Sequence, residues 1–280
     1  MSHSTPHFSQ SQQRLTGVKH IIAVGSGKGG VGKSTTSINL AVSLQQQGLR
    51  VGLLDTDIYG PNQPQMLGIR SKPDLIDNRF KPIIAHELQT MSLGYLIEDE
   101  TPLVWRGPMV SKMLQQLLYQ TAWDALDVLL LDLPPGTGDV QLTLAKKVPL
   151  SGAIIVTTPQ TVATQDAQKG LAMFRKVDVN ILGVIENMSQ HTCSQCGHTE
   201  AIFGEHGGIA LAQEHQVPLL GQLPLLRELR ESADDGLPFV LSHPDSKATE
   251  TYHHIASQLK QPLASIEKKR RSDFPQIVVE

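Results

Sequence analysis

Apolar and polar positions along the chain fall into two kinds of block. Short runs that are apolar almost throughout occur at VKHIIAV (18–24), RVGLLD (50–55), DVLLLDL (127–133), GAIIVTTP (152–159), ILGVIENM (181–188) and VPLLGQLP (217–224). They are bounded by turn residues and predict strands buried on both faces. Between them lie segments with helical spacing: STTSINLAVSLQQQ (34–47) stopping at Gly48, MVSKMLQQLLYQ (109–120) starting near Pro108, TVATQDAQKGLAMFRK (161–176), GGIALAQEH (207–215) and the closing SKATETYHHIASQLKQPLASIEKK (246–269). Residues 61–100 hold prolines and short alternating stretches such as LQTMSLGYL, and no long helical pattern. Strands alternating with helices predict an α/β fold with a mostly parallel sheet, helices on both faces and right-handed crossovers. No repeat or linker interrupts it, so residues 17–262 are expected to form a single domain. A polar tail (1–16) would precede it and a basic tail (263–280) would follow.

Composition narrows the function classes. The chain has 280 residues, 40% hydrophobic and 18% charged, with net charge −3. That suits a globular protein and gives no global positive field for holding nucleic acid or an anionic membrane. No run is long enough to span a bilayer, and the first residues lack the apolar core of a signal peptide. Two cysteines in a chain of this size argue against a disulfide scaffold and point to a reducing cytoplasm.

The stretch GSGKGGVGKST (25–35) carries the densest chemistry. Gly27, Gly32, Lys33 and Ser34 fit G-x-x-x-x-G-K-[ST] between a strand and a helix. Such a loop turns successive backbone N–H groups around phosphates at a helix N-terminus. Lys33 would neutralise the β and γ phosphates, and the Ser34 hydroxyl would ligate Mg²⁺. Gly29, Gly30, Val31 and Thr35 complete the cradle. Asp132 ends the most apolar strand and is placed to hold Mg²⁺ through water, and Gly136 would bring its amide close to the γ-phosphate; Asp55 and Asp57 end another strand at the same sheet edge. Aspartate also ends strands merely to begin a turn, but three beside a phosphate loop make a set.

Lys28 is a second lysine that the loop pattern does not require. It has little room to fold back on its own phosphates and can project outward, toward a nucleotide held by another chain. KGGVGKST resembles the deviant phosphate loop K-G-G-x-G-K-[ST] of the MinD/ParA/Mrp class of ATPases. The resemblance implies a homodimer that sandwiches two ATP molecules, Lys28 reaching the partner's phosphates, Asp57 positioning the attacking water, and Asp55 and Asp132 supporting the Mg²⁺ shell. It also implies an adenine contact from Asn187, an amide able to donate and accept at once, beside a loop around Pro224. An asparagine capping a turn fits the same position.

Both cysteines lie in HTCSQCGHTE, as Cys193-x-x-Cys196-Gly. Two thiolates leave a tetrahedral site half made. Four readings stand: a redox dithiol, unrelated thiols, a zinc site completed by His191 or His198, and a four-cysteine site shared by two chains, holding one [4Fe–4S] cluster or one zinc. Together with DTDIYGPNQPQMLG, LDLPPGTGD, TTPQTVATQDAQKG and GVIENMS, the pair makes residues 18–262 resemble the Mrp/ApbC branch of iron–sulfur cluster carrier ATPases. That implies ATP-dependent delivery of a [4Fe–4S] cluster to apo-proteins, the clients, and involves neither nucleic acid nor membrane. Bacterial members often carry a small domain ahead of the ATPase core, and nothing of its role carries over to the short polar stretch here. A MinD/ParA-like positioning switch shares the phosphate loop but leaves the cysteines unexplained, and the basic end, KKRRSDFPQIVVE, sustains no apolar helical face. Trp105 and Arg106 would sit on a dimer or client surface, or simply at a helix entry.

Overall fold

The computed structural model describes residues 15–97 and 107–272. Elements in chain order are β1 (Val18–Ser26), α1 (Lys33–Gln46), β2 (Val51–Asp55), α2 (Gln63–Met66), β3 (Leu75–Ile76), β4 (Arg79–Phe80), β5 (Ile83–Ala85), β6 (Leu88–Ser92), α3 (Gly107–Gln120), β7 (Leu126–Asp132), α4 (Asp139–Lys147), β8 (Gly152–Thr157), α5 (Thr161–Lys176), β9 (Ile181–Glu186), β10 (His191–Thr192), β11 (Thr199–Glu200), α6 (Gly207–Glu214), β12 (Leu219–Gln222), α7 (Arg227–Asp234), α8 (Phe239–Ser242) and α9 (Lys247–Ser272).

Eight strands form one sheet in the order β12-β9-β8-β1-β7-β2-β6-β5. All neighbours pair in parallel except β5, which runs antiparallel to β6. The central strands are buried on both faces because successive side chains point to opposite sides. Ile21 and Ala23 join the core under α3, α4, α5 and α6, while Ile22 and Val24 join the core under α1, α7, α8 and α9. The mostly parallel, two-faced sheet expected from the apolar runs is therefore present.

Parallel pairing brings the carboxyl ends of β1, β2, β7, β8 and β9 to one edge. Asp55 on β2 stands directly opposite Asp132 on β7. At the chain ends the boundaries differ from expectation. Leu15 already packs in the core, 8% exposed, and α9 continues through Pro262 to Ser272, with Leu263 buried. The body thus extends ten residues past the expected boundary at 262. Trp105, Arg106, residues 1–14 of the first expected tail and residues 273–280 of the second lie outside the described residues. Among the described residues, no helix is long and apolar enough to cross a membrane.

Candidate functional site

The phosphate loop joins β1 to α1 and lines a cavity of about 340 Å³ together with Asp57, Pro135, Asn62, Gln65, Met66, Ala233 and Asp234. Residues 28–35 all face this space. Two glycines are fixed by close approach. A Cβ at Gly27 would lie 2.0 Å from the Asp166 carbonyl carbon of α5, and one at Gly32 would lie 2.2 Å from Asn187 Nδ2. Gly32 also has φ +79°, which favours glycine.

Behind the loop lies a buried polar network. Lys33 Nζ donates to Asp132 Oδ1 at 2.7 Å, and Ser37 Oγ donates to the same oxygen at 2.8 Å. Gln63 Nε2 donates to Asp132 Oδ2 at 3.1 Å. Lys33 is 6% exposed and Asp132 fully buried. The ion pair is thus desolvated, and hydrogen bonds to neutral donors support it. Asp55 accepts from the Asp57 backbone N–H at 3.0 Å and from Ser92 Oγ at 3.0 Å. Burial, with the Asp132 charge nearby, pushes its carboxyl up to about 7. Asp57 opens onto the cavity, and partial burial raises its carboxyl too. Oxygen donors only, in Ser34, Asp55 and Asp132, suit a hard cation such as Mg²⁺. Among the described residues no three acidic, His or Cys side chains cluster as a ready metal cage, so contacts through water are the fitting arrangement.

Lys28 is half-buried on the cavity wall, and no ion pair among the described residues engages it. The Gly136 N–H donates to the Ser26 carbonyl at 3.0 Å. Asn187 and Pro224 lie off the cavity wall. Asn187 is buried, and its Nδ2 donates to the Val31 carbonyl at 2.8 Å, so in this structure the amide holds the loop from behind. Pro224 follows β12, where flanking Leu223 and Leu225 donate backbone N–H groups to the Glu186 and Gln190 carbonyls.

The cysteines project elsewhere. Residues 187–206 leave the sheet after β9 and return at α6, and the hairpin β10–β11 carries both cysteines at its tip. Cys193 N–H donates to the His198 carbonyl at 2.8 Å, and Gly197 N–H, with φ +73°, donates back to the Cys193 carbonyl at 2.9 Å. Backbone N–H groups of Gln195 and Cys196 aim at the Cys193 sulfur and lower its thiol toward the thiolate. Cys196 is exposed and neither cysteine is in a disulfide. Among the described residues no third ligand joins the pair, and His191 Nδ1 is turned to the Leu225 carbonyl at 3.2 Å. Neither His191 nor His198 is gathered with the two cysteines into a three-ligand group among the described residues.

A family model described as ParA, NUBPL iron-transfer P-loop NTPase, matches residues 17–260. The chain belongs to this family. It is 54% identical over 255 residues to an iron–sulfur cluster carrier protein of Pseudomonas fragi, covering 90% of this chain and 89% of that one. It is 52% identical to the carrier of that name from Escherichia coli K12, over 91% of this chain and 69% of that one. Against the mouse iron–sulfur cluster transfer protein NUBPL it is 47% identical, over 91% and 81%. Among solved structures, a nucleotide-binding protein from Archaeoglobus fulgidus in complex with ADP superposes with TM-score 0.74 at 33% identity, over 85% of this chain and 94% of that one. The cell division ATPase MinD of Pyrococcus furiosus, at 23% identity and TM-score 0.65 over 87% and 99%, shares the fold. The iron–sulfur carrier family expected from the motifs is thus the family found, on a P-loop nucleotide-hydrolase fold.

Within this family frame, the residues the sequence did not point to are Gln63 and the wall formed by Asn62, Gln65, Met66, Ala233 and Asp234. The α2 and α7 segments pack on each other and close the cavity from the side. In the sequence, DTDIYGPNQPQMLG pointed to the site only through Asp55, Asp57 and the family resemblance, which did not place α2 there.

Proposed function

We propose that the protein is a homodimeric ATP-binding and ATP-hydrolysing carrier that holds one [4Fe–4S] cluster between two Cys193–Cys196 pairs and passes it to apo iron–sulfur proteins in the cytoplasm. One observation carries the reading: each chain presents two thiols at an exposed hairpin tip, shaped to favour thiolate, with no third ligand beside them among the described residues. A second copy related by a two-fold axis would supply the missing pair.

At the other end, Gly27 to Thr35 would wrap the triphosphate with backbone N–H groups, and Lys33 would leave Asp132 for the β and γ phosphates. Lys28 would extend to the partner's nucleotide. Ser34, Asp55 and Asp132 would hold Mg²⁺, which when bound supplies charge neutralisation at the phosphates. Asp57, on the cavity wall, would orient the attacking water. Asn187 would exchange the Val31 carbonyl for the adenine edge near Pro224. That exchange would join the two ends, because Asn187 also begins the excursion that carries the cysteines. Two states favoured differently by nucleotide and by cluster are what such coupling requires.

The test is anaerobic reconstitution with iron and sulfide, followed by sedimentation. The expected result is a dimer with about four irons per two chains. Zinc uptake alone, or iron retained by a sedimenting monomer, would overturn the reading, since four thiolates serve zinc and iron clusters alike.

A further inference from the structure

Gln63 begins α2, in the segment that follows Asp57, and no catalytic pattern accounts for it. Its side chain is 1% exposed. The segment that bears it is held close to Gly94: a Cβ there would lie 3.1 Å from Pro61 Cβ and 2.8 Å from Pro64 Cγ. The amide nitrogen donates to Asp132 Oδ2 at 3.1 Å. The amide oxygen is buried and, among the described residues, accepts no hydrogen bond. A buried carbonyl without a donor is unfavourable, and an apolar side chain of the same shape would pack there at less cost. The oxygen therefore suits a donor that arrives with a ligand.

The charge arrangement shows which ligand. Among the described residues Asp132 has Lys33 as its one cationic partner, with Ser37 and Gln63 as neutral donors. If Lys33 turns to phosphate, Ser37 and Gln63 remain to hold the buried carboxylate in place, and a cation must replace the lysine's charge. The hydration shell of a divalent cation supplies O–H donors, the groups that the Gln63 oxygen lacks.

We propose that Gln63 is a positioning residue of the Mg²⁺ site: its N–H fixes the Asp132 carboxylate, and its carbonyl oxygen accepts from a cation-bound water. This rests on the nucleotide–Mg²⁺ reading given above. It makes the segment bearing Asp57 sense, through Gln63, whether the cation is present.

The experiment titrates Mg²⁺ into ADP-saturated full-length protein and reads the midpoint of the Mg²⁺-dependent rise in thermal stability. In Gln63→Met, which keeps the shape and loses both polar atoms, the midpoint is expected to rise about ten-fold, with ADP binding in chelator unchanged. In Gln63→Glu, which keeps an acceptor but sets a second carboxylate against Asp132, stability without Mg²⁺ is expected to fall and to recover as Mg²⁺ is added. A Met variant with a midpoint within about two-fold of wild type overturns the proposal. If that variant does not fold, a Glu variant that fails to recover with Mg²⁺ overturns it instead. A wild-type protein whose stability ignores Mg²⁺ overturns both this proposal and the reading beneath it, whereas failure of the variants alone leaves that reading standing.

Discussion

Asp132 and Cys193 lie at opposite extremes of completeness. Both oxygens of Asp132 are engaged, by Lys33 and Ser37 on one and by Gln63 on the other, and no part of the residue meets solvent. The Cys193 sulfur is polarised by backbone N–H groups at the tip of a two-stranded hairpin and has one neighbouring thiol. The Asp132 carboxylate is satisfied within one chain before any ligand arrives, and the thiol pair is left half made. The contrast teaches that exchange and assembly differ in kind here. A ligand entering the phosphate loop must displace existing partners, while a ligand at the hairpin must bring new ones.

The largest effect is expected at the unfinished end. Replacing both cysteines, Cys193→Ser with Cys196→Ser, should reduce bound iron after reconstitution from about four per two chains to background, leaving the ADP affinity of the iron-free protein unchanged by equilibrium dialysis. At the finished end, Lys33→Ala removes one partner of a buried ion pair. Nucleotide binding should be lost, and the ligand-free protein should lose about 3 kcal/mol in urea unfolding, since Ser37 and Gln63 still donate to the stranded carboxylate. Lys28→Ala, on the cavity wall, should change that stability by less than about 0.5 kcal/mol. If Lys33 and Lys28 behaved alike, the contrast between regions would collapse.

Asp55 sharpens the comparison through pH. Its folded value of about 7 lies above the ordinary carboxylate value. The stability it contributes is therefore full below about pH 4 and is lost as pH rises toward 7 in the ligand-free protein. Asp55→Asn should flatten that fall and leave the ligand-free protein more stable at pH 8, by on the order of 2–4 kcal/mol, while weakening Mg²⁺-dependent nucleotide binding. Thermal melts at pH 5 and pH 8 would show it. A smaller effect than at Lys33 or Asp55 belongs to the link between the regions. Asn187→Ala removes the bond to the Val31 carbonyl and should cost about 1 kcal/mol. Hydrogen exchange in residues 187–206 should then respond less to added nucleotide than in wild type.

Much of this was legible in the chain because the informative residues act locally. The runs at 127–133, 152–159 and 181–188 are apolar on both faces, which a central parallel strand requires, and α5 spans the predicted 161–176 without change. The missed elements lack that signature. Helix α4 buries Gln141, Leu144 and Ala145 only, and α7, RELRESAD, buries Leu229 and Ser232, so neither shows a continuous apolar face. The spacing predicts the last helix over 246–269 but the domain only to 262; Leu263 and Ile266 pack on the core and draw the end of the helix into the body. At the site, glycines, lysines and strand-end carboxylates announce themselves by type and spacing. Gln63 and the Asn187–Val31 bond do not, since each depends on a partner far away in the chain that only the folded sheet brings near.

Gly27 bears on how such loops are probed. It lies against the backbone of α5 at Asp166 with no room for a methyl group. An alanine there would push a helix away from the sheet, and the resulting loss of activity could be mistaken for damaged phosphate chemistry. In this protein the first glycine of the signature is a hinge pin between two layers, and experiments that treat it as a chemical probe would measure architecture.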